Sequence, residues 1–252
     1  MTMFLQHQID TAIMRLHEFE PDDGYYLAFS GGKDSIVIKQ LAIEAGVKFD
    51  AHYNDTTIDP PELRIFIKRV HSDVDWHKPK TPFLVEMVKR GFPMRRRRWC
   101  CDEYKEKGGN GRIVVTGVRW AESANRSKRK YIESCYKSNK QYLHPIIDWQ
   151  DEDVWAFIHD RNLPYCSLYD EGWKRIGCIM CPLAQKANRI LESKRYPNMT
   201  RGFIKAFEKL HKAKDPEVVK RWSNGEEMFW WWLTGEGHEK ESDDESQVML
   251  FE

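Results

Sequence analysis

The segment that most constrains the fold is short. Tyr25-Tyr-Leu-Ala-Phe29 is an apolar, aromatic run with the length of a buried strand, Ser30-Gly-Gly-Lys-Asp-Ser35 follows it directly, and Ile36 to Ala45 then read as a helix that stops at Gly46. A strand passing into a helix through a glycine-rich loop is the opening of a βαβ unit. The alternation continues. Val47–Tyr53 reads as a second strand, Pro60-Pro-Glu-Leu63 opens a helix running to Val70, and Arg112–Thr116 is a third strand. Proline is at ease at a helix start, where its missing N–H would have had no intrahelical partner. Asp151–His159 reads as a short helix with Asp148 upstream as its cap, and Phe4, Leu5, Ile9, Ile13 and Leu16 give the first twenty residues an amphipathic helical period. This order predicts an α/β fold with a doubly wound parallel sheet, whose ligand sites lie at the C-terminal strand ends.

From about Gly172 the strand pattern ends. Arg201–Leu233 reads as helical and aromatic, with Pro216 opening the last helix and Trp222, Phe229, Trp230, Trp231 and Trp232 more suited to core or interface than to a cofactor. The expected organisation is an α/β domain over residues 1–182, a helical C-terminal extension over 183–235 and an acidic tail over 236–252 that is disordered until its last few residues. No apolar run of about 18 residues exists, which excludes a transmembrane helix. The N-terminus lacks the apolar core of a signal peptide, so the expected location is the cytoplasm, with no membrane partner.

Net charge is +1, but its distribution is uneven: Lys89 to Lys140 holds 16 basic and 5 acidic residues. That favours a phosphate-rich ligand. In the loop, a strand-to-helix turn aims backbone N–H groups at one spot. Gly31 and Gly32 admit a close anion, Ser30 and Ser35 add hydroxyl donors, Lys33 adds a point charge, and Asp34 completes the motif. The spacing is not that of a Walker A loop. Asp55, after the second strand, is either a carboxylate for phosphate-bound Mg²⁺ or a turn-forming residue. The run Arg95-Arg-Arg-Arg98 is either a solvated loop or a seat for a nucleic-acid backbone.

Six cysteines occur, and four form a pattern: Cys100-Cys101, then Cys178-Ile-Met-Cys181 after a further 76 residues. Four thiolates suit zinc or a cubane iron–sulfur cluster. Adjacent cysteines chelate a single ion poorly but can bind neighbouring irons of a cluster.

The loop resembles the pyrophosphate loop (PP-loop) of ATP pyrophosphatases and sulfonucleotide reductases. The flanking segments Arg98-Trp-Cys-Cys101, Thr116-Gly-Val-Arg-Trp-Ala-Glu-Ser123, Pro145-Ile-Ile-Asp-Trp149 and Leu163-Pro-Tyr-Cys-Ser-Leu-Tyr-Asp-Glu-Gly172 extend the resemblance, from about Tyr25 to Pro182, to the phosphoadenosine phosphosulfate (PAPS) reductase family. They look most like its cluster-bearing adenylyl-sulfate reductases. The resemblance implies a [4Fe-4S] cluster on Cys100, Cys101, Cys178 and Cys181. It also implies an adenine nucleotide, ATP or adenylyl sulfate, held by the loop with Asp55, Gly117, Arg119 and Arg126. Lys33, Ser35 and Arg119 are the residues expected to stabilise charge in the reaction.

Two departures shape the functional expectation. Family reductases usually carry a degenerate loop, whereas this one is intact; and they attack sulfur with a cysteine near the C-terminus, whereas no cysteine follows Cys181 here. Attack on sulfur needs a thiolate. Cys135 and Cys166 remain, in segments that family logic places around the nucleotide or cluster. The expected activity is therefore that of an ATP pyrophosphatase adenylating an acceptor for sulfur incorporation, as in DNA phosphorothioation or tRNA thiolation. It would use Mg²⁺, a nucleic-acid acceptor at Arg95–Arg98 and a cysteine desulfurase as partner. The alternatives are a sulfonucleotide reductase served by a thioredoxin-like partner, and a non-catalytic nucleotide-binding module.

Overall fold

The computed structural model describes residues 3–135 and 139–235. The acidic tail assigned to residues 236–252 lies outside them. The elements are α1 (Met3–Glu18), β1 (Tyr25–Ala28), α2 (Lys33–Ala45), β2 (Phe49–Asn54), α3 (Pro61–Val70), β3 (Asp75–His77), α4 (Phe83–Arg90), α5 (Trp99–Tyr104), β4 (Ile113–Val115), β5 (Ile132–Cys135), β6 (Lys140–Leu143), α6 (Asp151–Asp160), α7 (Lys186–Arg195), α8 (Pro197–Ala213), α9 (Pro216–Val219) and α10 (Gly225–Thr234). The strands form one sheet in the order β3-β2-β1-β4-β6-β5. Every pairing is parallel except β5 with β6, so the expected parallel sheet carries one antiparallel edge. The chain steps outward from β1 to β2 and β3, then returns to the other side of β1 as β4. The switch point therefore lies between β1 and β4, the place where open α/β sheets leave a crevice for ligands.

The helix periods explain the packing. α1 buries Leu5, Ile9, Ala12 and Leu16 on one stripe, each large side chain contributing roughly 1.5–3 kcal/mol of transfer free energy. Tyr25 ties the stripe to the sheet by donating its hydroxyl to the Leu16 carbonyl at 2.6 Å. α2 ends at Gly46, whose left-handed φ of 67° favours glycine, which has no Cβ to strain there. The core beneath α1, α2 and α6 includes the fully buried Trp149 and Phe157. A second core joins Phe83 and Met87 of α4 to Phe203, Phe207, Phe229 and Trp232 of the C-terminal helices. Trp232 is buried as expected of a core residue, but Trp230 faces outward.

Two expectations are corrected. Asp148 does not cap α6; it accepts both guanidinium nitrogens of Arg15, at 2.9 and 2.8 Å, and so fastens α1 to the α6 approach. The cap is Gln150, in a reciprocal box with Asp153. Pro216 opens only the four-residue α9. The last helix starts at Gly225, capped by the Asn224 side chain, which accepts the Glu227 N–H at 2.8 Å. Gly225 is needed there because a Cβ would stand 2.4 Å from the Glu208 backbone of α8. Among the described residues no helix is long and apolar enough to cross a membrane.

Candidate functional site

The glycine loop leaves the C-terminal end of β1 at the switch point and feeds the first turn of α2. Gly31 has a left-handed φ of 74°, and a Cβ there would lie 2.7 Å from Ile67 and 2.8 Å from Leu63. The loop is thus pressed onto α3 at a point where a Cβ would force Ile67 and Leu63 to shift. The Ser35 hydroxyl donates to the Gly32 carbonyl at 2.8 Å and Ser30 Oγ lies 3.3 Å from Ser35 Oγ, so both hydroxyls gather over the helix start. On the far side of the crevice Gly117 follows β4, and a Cβ there would stand 2.8 Å from Asp34 Cβ.

Lys33 and Arg119 do not face the crevice as free cations. Lys33 Nζ lies 3.1 Å from Asp151 and 3.6 Å from Asp34. Arg119, 2% exposed, donates to Asp34 at 2.8 Å, to Asp151 at 2.8 Å and to the Trp149 carbonyl at 3.3 Å. Two cations and two carboxylates form a closed quartet of no net charge. Burial pushes Asp151 upward, but Lys33 and Arg119 outweigh it and hold its carboxyl below the ordinary range. Sequence reasoning gave Asp151 no role in the site, though the residue opens a helix within the stretch that resembles the family. It also missed Tyr169, whose hydroxyl accepts the Lys33 N–H at 2.9 Å. The distance between these residues in the chain hides both.

Two of the expected nucleotide residues are occupied elsewhere. Asp55 is buried and accepts from the Thr57 N–H at 2.8 Å, Arg64 at 2.8 Å and the Trp76 indole at 3.2 Å. Its oxygens anchor the turn after β2. Arg126 pairs with Glu122, which also accepts the Arg119 N–H at 2.9 Å.

The four cysteines of the pattern line a single cavity. Cys100 and Cys101 come from α5, while Cys178 and Cys181 come from the loop before α7. That loop is fixed at three points. The Ile179 N–H donates to the Ile58 carbonyl at 2.9 Å, Cys178 Sγ lies 3.6 Å from Thr56 Oγ1, and Met180, at a left-handed φ of 57°, donates its N–H to the buried carboxylate of Glu192. Burial raises Cys178 to about 12. The hydrogen bond between Cys100 and Cys101 favours the Cys101 thiolate and drives Cys100 the other way. Lys105 lines the same cavity and is raised by negative charge on the sulfurs when they ionise, that of Cys178 foremost. Four unbridged sulfurs, apolar walls and one compensating cation form a donor set that fits a thiolate-bound metal or cluster.

The other two thiols lie apart. Cys166 is fully buried in the core. Cys135 pairs with Lys140 at the start of β6, which puts it at the N-terminal edge of the parallel strands, opposite the loop. Of the two, the Cys166 segment does flank the loop, since Tyr169, three residues on, accepts the Lys33 N–H, whereas Cys135 lies away from it. Arg95 and Arg96 form the tip of a tight turn closed by Met94 and Arg97, and Arg98 is buried beneath it.

A doubly wound α/β sheet with an anion-binding loop at its switch point defines a nucleotide-binding class of protein. Residues 24–184 match the phosphoadenosine phosphosulfate reductase domain. The chain belongs to that family. It is 36% identical over 183 residues to the adenosine 5'-phosphosulfate reductase of Staphylococcus epidermidis, covering 65% of this chain and 71% of that one. It is 30% identical over 218 residues to the uncharacterized protein MJ0973 of Methanocaldococcus jannaschii, covering 81% of this chain and 51% of that protein. This chain thus spans about half the length of that archaeal relative. In fold it is similar to the phosphoadenylyl-sulfate reductase of Candida auris, with a TM-score of 0.53, 20% identity and coverage of 71% and 96%.

Proposed function

We propose that this protein is an ATP pyrophosphatase that adenylates an acceptor for sulfur incorporation. The observation that carries the reading is the intact loop, in which two glycines, the α2 N-terminus and the hydroxyls of Ser30 and Ser35 converge at the switch point. Such a cradle suits a pyrophosphate, whose oxygens accept from several donors at once. The acceptor oxygen attacks the α-phosphorus of ATP, the bond to the bridging oxygen breaks, and pyrophosphate leaves. A sulfur nucleophile then displaces AMP. Lys33 and Ser35 hold the departing pyrophosphate, and Arg119 acts on it indirectly, by fixing the two carboxylates that position Lys33. Bound Mg²⁺ would add charge neutralisation at the phosphates. Cys100, Cys101, Cys178 and Cys181 would hold a [4Fe-4S] cluster, which supplies thiophilic iron for sulfur binding or relay. The acceptor we favour is a nucleic acid, because exposed Arg95, Arg96 and Arg97 stand directly before the cysteine helix α5.

A sulfonucleotide reductase is the second reading, favoured by the relatives bearing that name. It needs an attacking thiol, and Cys135 and Cys166 are badly placed for one. Calorimetric titration of anaerobically purified protein with ATP–Mg²⁺, adenylyl sulfate and its 3′-phosphate separates the two. Tight ATP binding, with pyrophosphate released in the presence of an oligonucleotide, is the expected result. Preference for the sulfonucleotides, with sulfite and AMP (or its 3′-phosphate) released as a supplied dithiol is oxidised to its disulfide, overturns it.

A further inference from the structure

Outside the nucleotide crevice, the sequence Asp-x-His occurs on two adjacent strands: Asp50-Ala-His52 on β2 and Asp75-Trp-His77 on β3. Alternate residues of a strand face the same side. The register sets His52 beside Asp75 and Asn54 beside His77, so all four chelating groups share one face of the sheet edge. Asp50, His52 and Asp75 each offer a ligand atom within 4.8 Å of the others. His52 Nδ1 lies 2.8 Å from His77 Nε2 and 3.7 Å from Asp75 Oδ2.

The tautomer of His52 follows from its neighbours. Asp50 is held by two guanidinium nitrogens of Arg112, one of them at 2.7 Å, so it stays ionised and can only accept. His52 must therefore carry its proton on Nε2, which contacts Asp50, and turn the lone pair of Nδ1 toward His77 and Asp75. Tyr26 stacks on the imidazole at 3.9 Å and 7° and keeps the ring from turning away. A carboxylate holding the far nitrogen of an imidazole is the usual support of a metal-ligating histidine. Two ligands of one tetrahedral ion stand about 3.4 Å apart when each bond is about 2.1 Å. To admit it the imidazoles must part by roughly half an ångström from 2.8 Å, and the exposed Asp75 carboxylate must turn toward His77.

We propose that His52 Nδ1, His77 Nε2 and the Asp75 carboxylate form a binding site for a divalent transition cation of the zinc class, with Asp50 and Arg112 as its support. Nitrogen and carboxylate donors select such a cation over Ca²⁺ or Mg²⁺. His77 and Asp75 are exposed, which leaves the remaining coordination position to water. The ion would pin the three-residue edge strand β3 to β2.

Co²⁺ is the probe, added to protein whose cysteine centre is already loaded, because sulfur ligation gives an intense charge-transfer absorption that nitrogen and oxygen ligation lacks. One equivalent should bind with weak visible bands only. His77→Ala and Asp75→Ala, both at exposed positions, should each weaken binding more than tenfold with unchanged circular dichroism, and Asp50→Asn should weaken it about tenfold. Absence of Co²⁺ binding, binding that shows sulfur charge transfer alone, or binding that survives both His77→Ala and Asp75→Ala overturns the proposal.

Discussion

Arg119→Met tests the closed quartet directly. Breaking a fully buried ion pair costs about 3–5 kcal/mol, because a charge is left without a partner. Here the stranded groups are the carboxylates of Asp34 and Asp151, whose side chains are 23% and 51% exposed. Water rehydrates them in part, and Lys33 remains beside both, so we expect a loss of about 2–3 kcal/mol. For a chain of this size that lowers the melting temperature by roughly 5–10 °C. The quartet also changes from neutral to one net negative charge, and ATP affinity should fall about tenfold, or roughly 1.4 kcal/mol. Urea unfolding followed by tryptophan fluorescence gives the stability, and calorimetry gives the affinity. The cause is checked by a cycle. Asp151→Asn alone should cost under about 1 kcal/mol because Asp151 is half exposed, yet it should restore about 1 kcal/mol when added to Arg119→Met. A variant within about 0.5 kcal/mol of wild type, or a double variant whose effects simply add, refutes the reasoning.

Three further outcomes are expected. Gly31→Ala forces a side chain into left-handed backbone and against Ile67 and Leu63, so it should destabilise by about 2–4 kcal/mol in chemical denaturation. His144 is fully buried, and burial lowers it to about 3, so it folds neutral and the unfolded chain, titrating near 6.5, binds the extra proton between those values. Its contribution is present above pH 6.5 and is lost as pH falls, by about 2 kcal/mol at pH 5, and His144→Gln should flatten the pH dependence of the urea midpoint over that window. Tyr169→Phe removes one hydroxyl from the loop and should weaken pyrophosphate and ATP about fivefold while leaving AMP unchanged. Tighter binding would mean that the hydroxyl competes with the ligand.

The sequence legibility of this protein follows how local each cause is. The loop was readable because glycine at a strand-to-helix turn has a local reason, and the four cysteines because thiols in a CxxC pattern have few uses. The helix α1 was readable from its apolar period and α3 from the prolines that open it. By contrast β3, β5 and β6 are three or four residues long and hold charged or polar side chains, so no alternation marks them. Asp148 and Asp151 are three residues apart and both look like helix-start carboxylates. Which one reaches Arg15 and which one reaches the loop depends on packing between segments more than a hundred residues apart. Arg119 and Arg126 read as anion ligands for the same reason: their carboxylate partners come from the fold, or from a turn whose shape the sequence does not declare.

The topology also bears on how the two halves of the proposed reaction would meet. The loop leaves β1, and the segment carrying Thr56 leaves β2, which is its hydrogen-bonded neighbour. Adjacent strands are about 4.8 Å apart, so the two segments start one strand spacing from each other at the same sheet edge. Thr56 touches Cys178, and the remaining cysteines share that cavity. A nucleotide held at the loop and a sulfur species held at the cysteines would therefore be neighbours without any domain movement. Cys135, at the opposite sheet edge, has no such proximity. The sulfur chemistry of this chain should accordingly depend on Cys100, Cys101, Cys178 and Cys181 and be indifferent to Cys135, which a Cys135→Ala variant would reveal by retaining full activity.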